Sequence, residues 1–181
     1  MKKLVVGITG ASGVVIGIRL LEELVQRDFS VIGIITDNAS KVIEHEIRNK
    51  FKPTEKAEYF QEYDATAPMN SSSYLVDGMV IAPCSMKTLA AIANGYTFNL
   101  ITRAADNMLR TNKPLILVPR ETPLSISHLE NMLKLKKAGA IICPPMIAYY
   151  HHPESIDDMT NFFVGKILDL LNIPNKLYKR W

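Results

Sequence analysis

Short β-branched runs alternate with longer apolar stretches of helical spacing along this chain, and few folds are open to a chain with that alternation. Strands that follow one another in this way pair in parallel through crossover helices, so the pattern predicts an α/β fold. The expected architecture is three-layer and Rossmann-like (flavodoxin-like), a parallel sheet flanked by helices. Leu4 to Ile8 is the first strand, and Val14, Ile18, Leu21 and Val25 then recur at helical steps up to about Gln26. Val31 to Ile35 repeats the strand signal, with Asn38 as the expected cap of a second helix through Val42, Ile43 and Glu46. From Phe51 to Ser73 the pattern fails; Pro53, Pro68 and the polar run Asn70-Ser71-Ser72-Ser73 read as loop, with room for a short edge strand near Tyr59. Met79 to Ala82 resumes a buried strand ended by Pro83, and Ser85 caps a helix that stops at Asn94-Gly95. A helix from Leu100 to Arg110, a strand from Leu115 to Val118, a helix capped by Ser125 or Ser127 and ending at Lys137, a strand from Ala140 to Ile142 and a helix from Ile156 to Leu171 complete the series.

With 181 residues, 48% of them hydrophobic, the chain has apolar material for one core, so residues 1–181 are expected to form a single domain. The tail from 172 to 181 is basic and aromatic and is expected to pack at a subunit interface. Lys and Arg number 21 against 18 Asp and Glu, and the net charge of +3 is too even for a nucleic-acid footprint. Cys84 and Cys143 lie in apolar stretches without a second Cys or a His at metal-ligand spacing, which reads as two buried thiols in a reducing cytoplasm. No stretch approaches the roughly 20 apolar residues that span a bilayer. The run after Met1-Lys2-Lys3 is broken by Gly7, Thr9, Gly10, Ser12 and Gly13, unlike a signal peptide.

In a sheet of this kind ligands bind beyond the carboxyl ends of the strands. Four strand-end turns carry unusual residues. Gly7-Ile-Thr-Gly-Ala-Ser-Gly13 is spaced G-x-x-G-x-x-G, not the G-x-G-x-x-G of a dinucleotide site, and Thr36 at the end of the second strand is a hydroxyl suited to phosphate, so a mononucleotide fits better than NAD. Pro83-Cys-Ser-Met-Lys-Thr88 opens a helix with hydroxyls and helix-start amides. In Val118-Pro-Arg-Glu-Thr-Pro-Leu-Ser125, Arg120 can bind phosphate bidentately and Glu121 can exchange a proton with a leaving group. The run from Pro144 to Pro153 gathers Tyr149, Tyr150, His151 and His152, but adjacent histidines on extended chain point apart and no carboxylate completes a metal site. Arg103 and Arg110 add cationic charge on the preceding helix.

Taken together the turns resemble the UbiX-type flavin prenyltransferases, long described as phenylacrylic acid or 3-polyprenyl-4-hydroxybenzoate decarboxylases. The resemblance is carried by Gly7-Ile-Thr-Gly-Ala-Ser-Gly13, Gly78-Met-Val-Ile-Ala-Pro-Cys-Ser-Met-Lys-Thr88, Arg103-Ala-Ala-Asp106, Leu117-Val-Pro-Arg-Glu-Thr-Pro-Leu-Ser125 and Tyr150-His-His-Pro153, in family order and spacing. It implies FMN as cofactor, a large homo-oligomer that is commonly a dodecamer, and no metal. The implied reaction joins the dimethylallyl group of dimethylallyl phosphate to N5 and C6 of reduced FMN, making prenylated FMN for a UbiD-type decarboxylase. By resemblance FMN contacts Gly10, Ala11, Ser12, Thr36, Ser85, Met86, Lys87, Thr88 and Arg120. The donor phosphate meets Arg103, Arg110, Arg120, Tyr150 and Lys166, some of them from different subunits, and Lys stands at 166 where many members carry Arg. Ser12, Glu46, Glu121 and Tyr150 are the implied catalytic set, and Trp181 an aromatic shield. Two rival readings are another FMN enzyme of the superfamily, such as a cysteine decarboxylase, and a non-catalytic FMN-binding subunit or carrier.

Overall fold

A strand covered by helices on both faces needs apolar residues at every position, and the first strand meets that demand: Leu4 to Ile8 are all buried. The computed structural model describes residues 2–47 and 51–180. Strands β1 (Lys3–Ile8), β2 (Ser30–Ile35), β3 (Glu58–Gln61), β4 (Gly78–Cys84), β5 (Leu115–Pro119) and β6 (Ile141–Ile142) form one sheet in the order β3-β2-β1-β4-β5-β6, every pair parallel. Alternation along the strands sends side chains to two cores. Val6, Ile8, Val80, Ile116 and Val118 pack against α1 (Val14–Gln26), α2 (Asp37–Ile47) and α6 (Ile156–Leu170). Val5, Met79, Ile81, Leu115 and Leu117 face α3 (Met86–Ala93), α4 (Leu100–Arg110) and α5 (Ile126–Lys137).

The chain winds outward from β1 through β2 to β3, then returns to β4 and winds the other way, so neighbouring β1 and β4 open a crevice at their carboxyl ends. Gly17 brings α1 tight against that seam. A Cβ at Gly17 would lie 2.0 Å from the Ala82 carbonyl oxygen.

The expected elements are found, with local corrections. Asn38 lies inside α2, and the cap is Thr36, whose Oγ1 accepts the Ala39 amide at 3.1 Å. Pro83 does not end its strand: β4 runs on to Cys84 with a register shift against β5 after Ile81. Proline has no N–H for the ladder, but its carbonyl accepts the Thr9 amide at 3.2 Å and the Thr9 hydroxyl at 2.8 Å. The edge strand near Tyr59 is β3. Beyond α6 the tail turns back on its own chain, where Asn175, Tyr178 and Arg180 all bond to Asp169.

Candidate functional site

Backbone and hydroxyl hydrogen bonds join the strand tips around the crevice. The Thr36 amide donates to Ile8 O at 3.1 Å, the Ser85 amide to Thr9 Oγ1 at 2.7 Å, and the Arg120 amide to Cys84 O at 3.3 Å. The turns after β1, β2, β4 and β5 are thereby fixed relative to one another. Above β1, β2 and β4 they frame a cleft of about 380 Å³. Of the residues singled out from the sequence, Gly10, Thr36, Ser85, Lys87 and Thr88 line it. Ala11 and Met86 bury their side chains, leaving backbone for a ligand, and Ser12 stands exposed in the turn. Gly10 must be glycine because a Cβ there would lie 2.6 Å from the Asn38 Cβ.

Two carboxylates decide which helix start can receive an anion. Glu46, on α2, accepts the Gly13 amide at 3.0 Å and the Val14 amide at 3.3 Å, so the start of α1 already holds a negative group. Glu62, buried beside the cleft, accepts the Asp37 amide of α2 at 2.8 Å and the Asn99 side-chain amide at 2.8 Å. At α3, Ser85 Oγ accepts the Thr88 amide at 3.3 Å, while the Met86 and Lys87 amides have no hydrogen-bond partner among the described residues. With Lys41 and Lys87 on the cleft wall, a phosphate fits at the start of α3.

Arg120 does not line this cleft; its amide ties it to the neighbouring β4 tip through Cys84 O. Its Nε is buried with no hydrogen-bond partner among the described residues, so the guanidinium is held at the β5 tip with a donor unused. An anionic or carbonyl-bearing ligand would satisfy it. Glu121 is exposed and accepts the Thr122 amide at 3.1 Å; it forms no ion pair with Arg120.

On the other side of β5, Val118 leads into an apolar cavity of about 190 Å³ bounded by Cys143, Pro144, Met146, Phe162 and Phe163, with Lys166 the one charged lining residue among the described residues. Tyr150 packs edge-on against Phe162 with ring centroids 5.7 Å apart, and His151 stacks on Phe162 at 4.5 Å. Tyr150 and Lys166 thus flank one aromatic residue. Burial pushes the Cys143 thiol up, Lys166 opposing it only in part, and burial pushes Cys84 up further, so both remain neutral thiols rather than nucleophiles.

Arg103 and Arg110 do not join this group within one chain. Both bracket Asp106 on α4, at 3.6 Å and 2.9 Å, and Arg103 Nε also donates to Asn70 O at 3.0 Å. Since α4 and α6 cover opposite faces of the sheet, the five phosphate residues fall into two sets. Trp181 lies outside the described residues. Lys41, Glu62, Tyr63, Phe98 and Asn99 line the cleft without having been singled out, and Asn38, expected only as a helix cap, lines it too. Asn99 carried a signal, a cap residue before the helix at Leu100; Glu62 sits in the polar stretch without periodicity and carried none.

A doubly wound sheet with a phosphate-receiving cleft at its reversal point defines a mononucleotide-binding α/β protein, and residues 1–168 match the family model described as Flavoprotein. A flavin prenyltransferase UbiX of Methanocaldococcus jannaschii is 48% identical over 181 residues, covering 99% of this chain and 98% of that protein. The crystal structure of AnUbiX (PadA1) in complex with FMN and dimethylallyl pyrophosphate superposes with a TM-score of 0.95 at 40% identity, over 99% of this chain and 97% of the other. A dodecameric FMN-dependent UbiX-like decarboxylase from Escherichia coli O157:H7 gives 0.94, also at 40% identity, over 99% and 98%. The chain belongs to the flavin prenyltransferase family of flavoproteins.

Proposed function

We propose that the protein binds FMN and transfers the dimethylallyl group of dimethylallyl phosphate to N5 and C6 of the reduced flavin, yielding prenylated FMN for a UbiD-type decarboxylase. The observation that carries this reading is the position of Arg120. Its backbone is tied to the β4 tip beside the flavin cleft, Val118 of the same strand lines the Lys166 cavity, and its buried Nε has no hydrogen-bond partner among the described residues.

The first set of residues would hold the cofactor: Gly10, Ala11, Ser12 and Thr36 at the first two turns, Ser85 to Thr88 at α3, and Arg120 on the far side. Reduced FMN supplies the nucleophilic atoms that accept the prenyl group. The protein's part is electrostatic. Tyr150, Lys166 and Arg120, with Arg103 and Arg110 from a neighbouring copy, would neutralise the phosphate as the allylic C–O bond breaks. Aromatic and apolar walls around Phe162 and Met146, with Trp181 as shield, would exclude water that quenches an allylic cation to an alcohol. Glu121, exposed and not paired with Arg120, would remove the proton lost on ring closure, and Ser12 would orient the ring. Glu46 would act through the α1 start that it caps.

A homo-oligomer, in number a dodecamer, belongs to this reading. The separation of Arg103 and Arg110 from Lys166 calls for a second copy, and Ile126, Leu129 and Leu133 on α5 together with Met146, Ile147 and Tyr149 are exposed apolar residues that copies could cover. We place the protein in the cytoplasm, where its two unbridged cysteines suit a reducing compartment. Anaerobic incubation with reduced FMN and dimethylallyl phosphate, followed by mass spectrometry of the extracted flavin, tests the activity. The expected result is a flavin heavier by a dimethylallyl group less one hydrogen, with inorganic phosphate released, and no such product from Glu121→Gln despite retained FMN. Flavin returned unchanged by the wild type would make the protein a carrier.

A further inference from the structure

The tail returns over α6 through one carboxylate. Asp169, in the last turn of α6, accepts hydrogen bonds from the Tyr178 hydroxyl at 2.6 Å, from Arg180 at 2.6 and 3.0 Å and from the Asn175 side-chain amide at 2.8 Å. Asn175 also donates to Gly165 O at 3.2 Å. The helix has been relieved of a side chain to receive the ring: a Cβ on Gly165 would lie 2.5 Å from Tyr178 Cδ1.

That ring touches the donor side of the proposed site. Tyr178 packs edge-on against Phe162 at 5.1 Å, and Phe162 in turn carries Tyr150 at 5.7 Å. The Lys166 ammonium lies 5.7 Å from the Tyr178 ring centroid and the Arg180 guanidinium 5.3 Å. Lys166 has no salt bridge among the described residues, so the aromatic face is the one contact fixing its long side chain from the tail. A flexible ammonium costs rotamer entropy each time it is brought to an anion, and a preset one costs less.

We infer that Asp169, Tyr178 and Arg180 form a clasp that positions Lys166 and the Phe162–Tyr150 pair for the anionic head of the prenyl donor, which makes them positioning residues for donor binding. The inference rests on the proposed function for the identity of the donor. The clasp touches neither the flavin cleft nor the β1, β2 and β4 tips, so its loss acts on the donor and not on FMN.

The test measures the dissociation constant of dimethylallyl phosphate on FMN-loaded protein by calorimetry, alongside KM and kcat. Tyr178→Phe keeps the ring and loses its bond to Asp169, Asp169→Asn removes the charge, and Gly165→Ala displaces the ring while leaving the carboxylate in place. Donor affinity and KM are expected to weaken about three- to tenfold in all three, with FMN affinity unchanged and kcat nearly so. Asp169→Glu, which keeps the charge, is expected to recover part of the loss. Lowered melting temperatures with wild-type donor affinity in all three variants would make the clasp structural only and overturn the inference. A wild type that binds the donor without forming prenylated flavin would instead refute the proposed function, the clasp still being judged by the dissociation constants.

Discussion

Adding one methyl group at Gly10 tests whether the cleft between the first turn and the start of α3 is shaped for a phosphate. The Cβ of Gly10→Ala would lie 2.6 Å from the Asn38 Cβ and 3.2 Å from the Asn38 carbonyl carbon. Carbon atoms rest at about 3.5–4.0 Å, so the turn after β1 and the start of α2 must part by roughly 1 Å. Overpacking of this kind costs about 1–3 kcal/mol. At about 2–4 °C per kcal/mol for a domain of this size, the melting temperature should fall by roughly 2–12 °C. The same separation moves Thr36, Asn38 and Lys41 away from the α3 start across the cleft. Losing one charge-assisted hydrogen bond to the phosphate, worth about 1.5–3 kcal/mol, raises the FMN dissociation constant about ten- to a hundredfold. Gly139→Ala is the control. Its φ of +99° strains an alanine, yet nothing lies within 4 Å of the added Cβ, so stability should fall with FMN affinity intact. Thermal melts and flavin-fluorescence titrations read both quantities. If Gly10→Ala binds FMN as tightly as the wild type, the phosphate does not sit where the cleft is drawn.

Arg120→Lys keeps the charge but loses the planar fork, and its FMN dissociation constant, read by the same titration, should rise about tenfold or more. Glu46→Ala uncaps the Gly13 and Val14 amides and should lower stability by about 1 kcal/mol in a denaturant melt. The clasp has a pH window. Desolvation acts to raise the Asp169 pKa, but hydrogen bonds from Arg180, Tyr178 and Asn175 outweigh it and hold the carboxyl below its ordinary value; desolvation and then Asp169 push Tyr178 up to about 12. The depressed carboxyl contributes stability that is present above about pH 4 and lost as pH falls through its folded value, and the raised phenol contributes stability that is full below about pH 10 and lost as pH rises from there. Lys166, Arg180 and Tyr150 are the other titratable groups near that phenol. In the folded protein the phenol ionises only as pH approaches about 12, so donor affinity measured from pH 6 upward should stay level as far as the clasp is concerned until that range and weaken there in the wild type, with no such clasp-dependent step in Tyr178→Phe.

The layered fold was legible because it is written in periodicity. The helix from Leu100 to Arg110 and the caps at Ser85 and Ser125 follow from local chemistry alone. Pro83 misled because its carbonyl, not its missing amide, decides the strand end, and its partner Thr9 is far away in sequence. The cleft-side glycines and hydroxyls were readable from the turns. Glu62 was not, since its carboxylate matters only once β3, α2 and α4 converge on it. Nor could spacing reveal that α4 and α6 lie on opposite faces of the sheet, which divides Arg103 and Arg110 from Lys166.

That division leads to the most direct test of the account, a prenyl-transfer site built from the strand tips and α6 of one copy and α4 of another. Arg103→Ala and Lys166→Ala are each expected to lose most of the prenylated flavin formed. Co-expressed in equal amounts and purified as mixed oligomers, they should regain it in about a quarter of the sites, those that draw an intact α4 from one copy and an intact α6 from its neighbour. Mixed oligomers that produce no more prenylated flavin than the separate variants would contradict it.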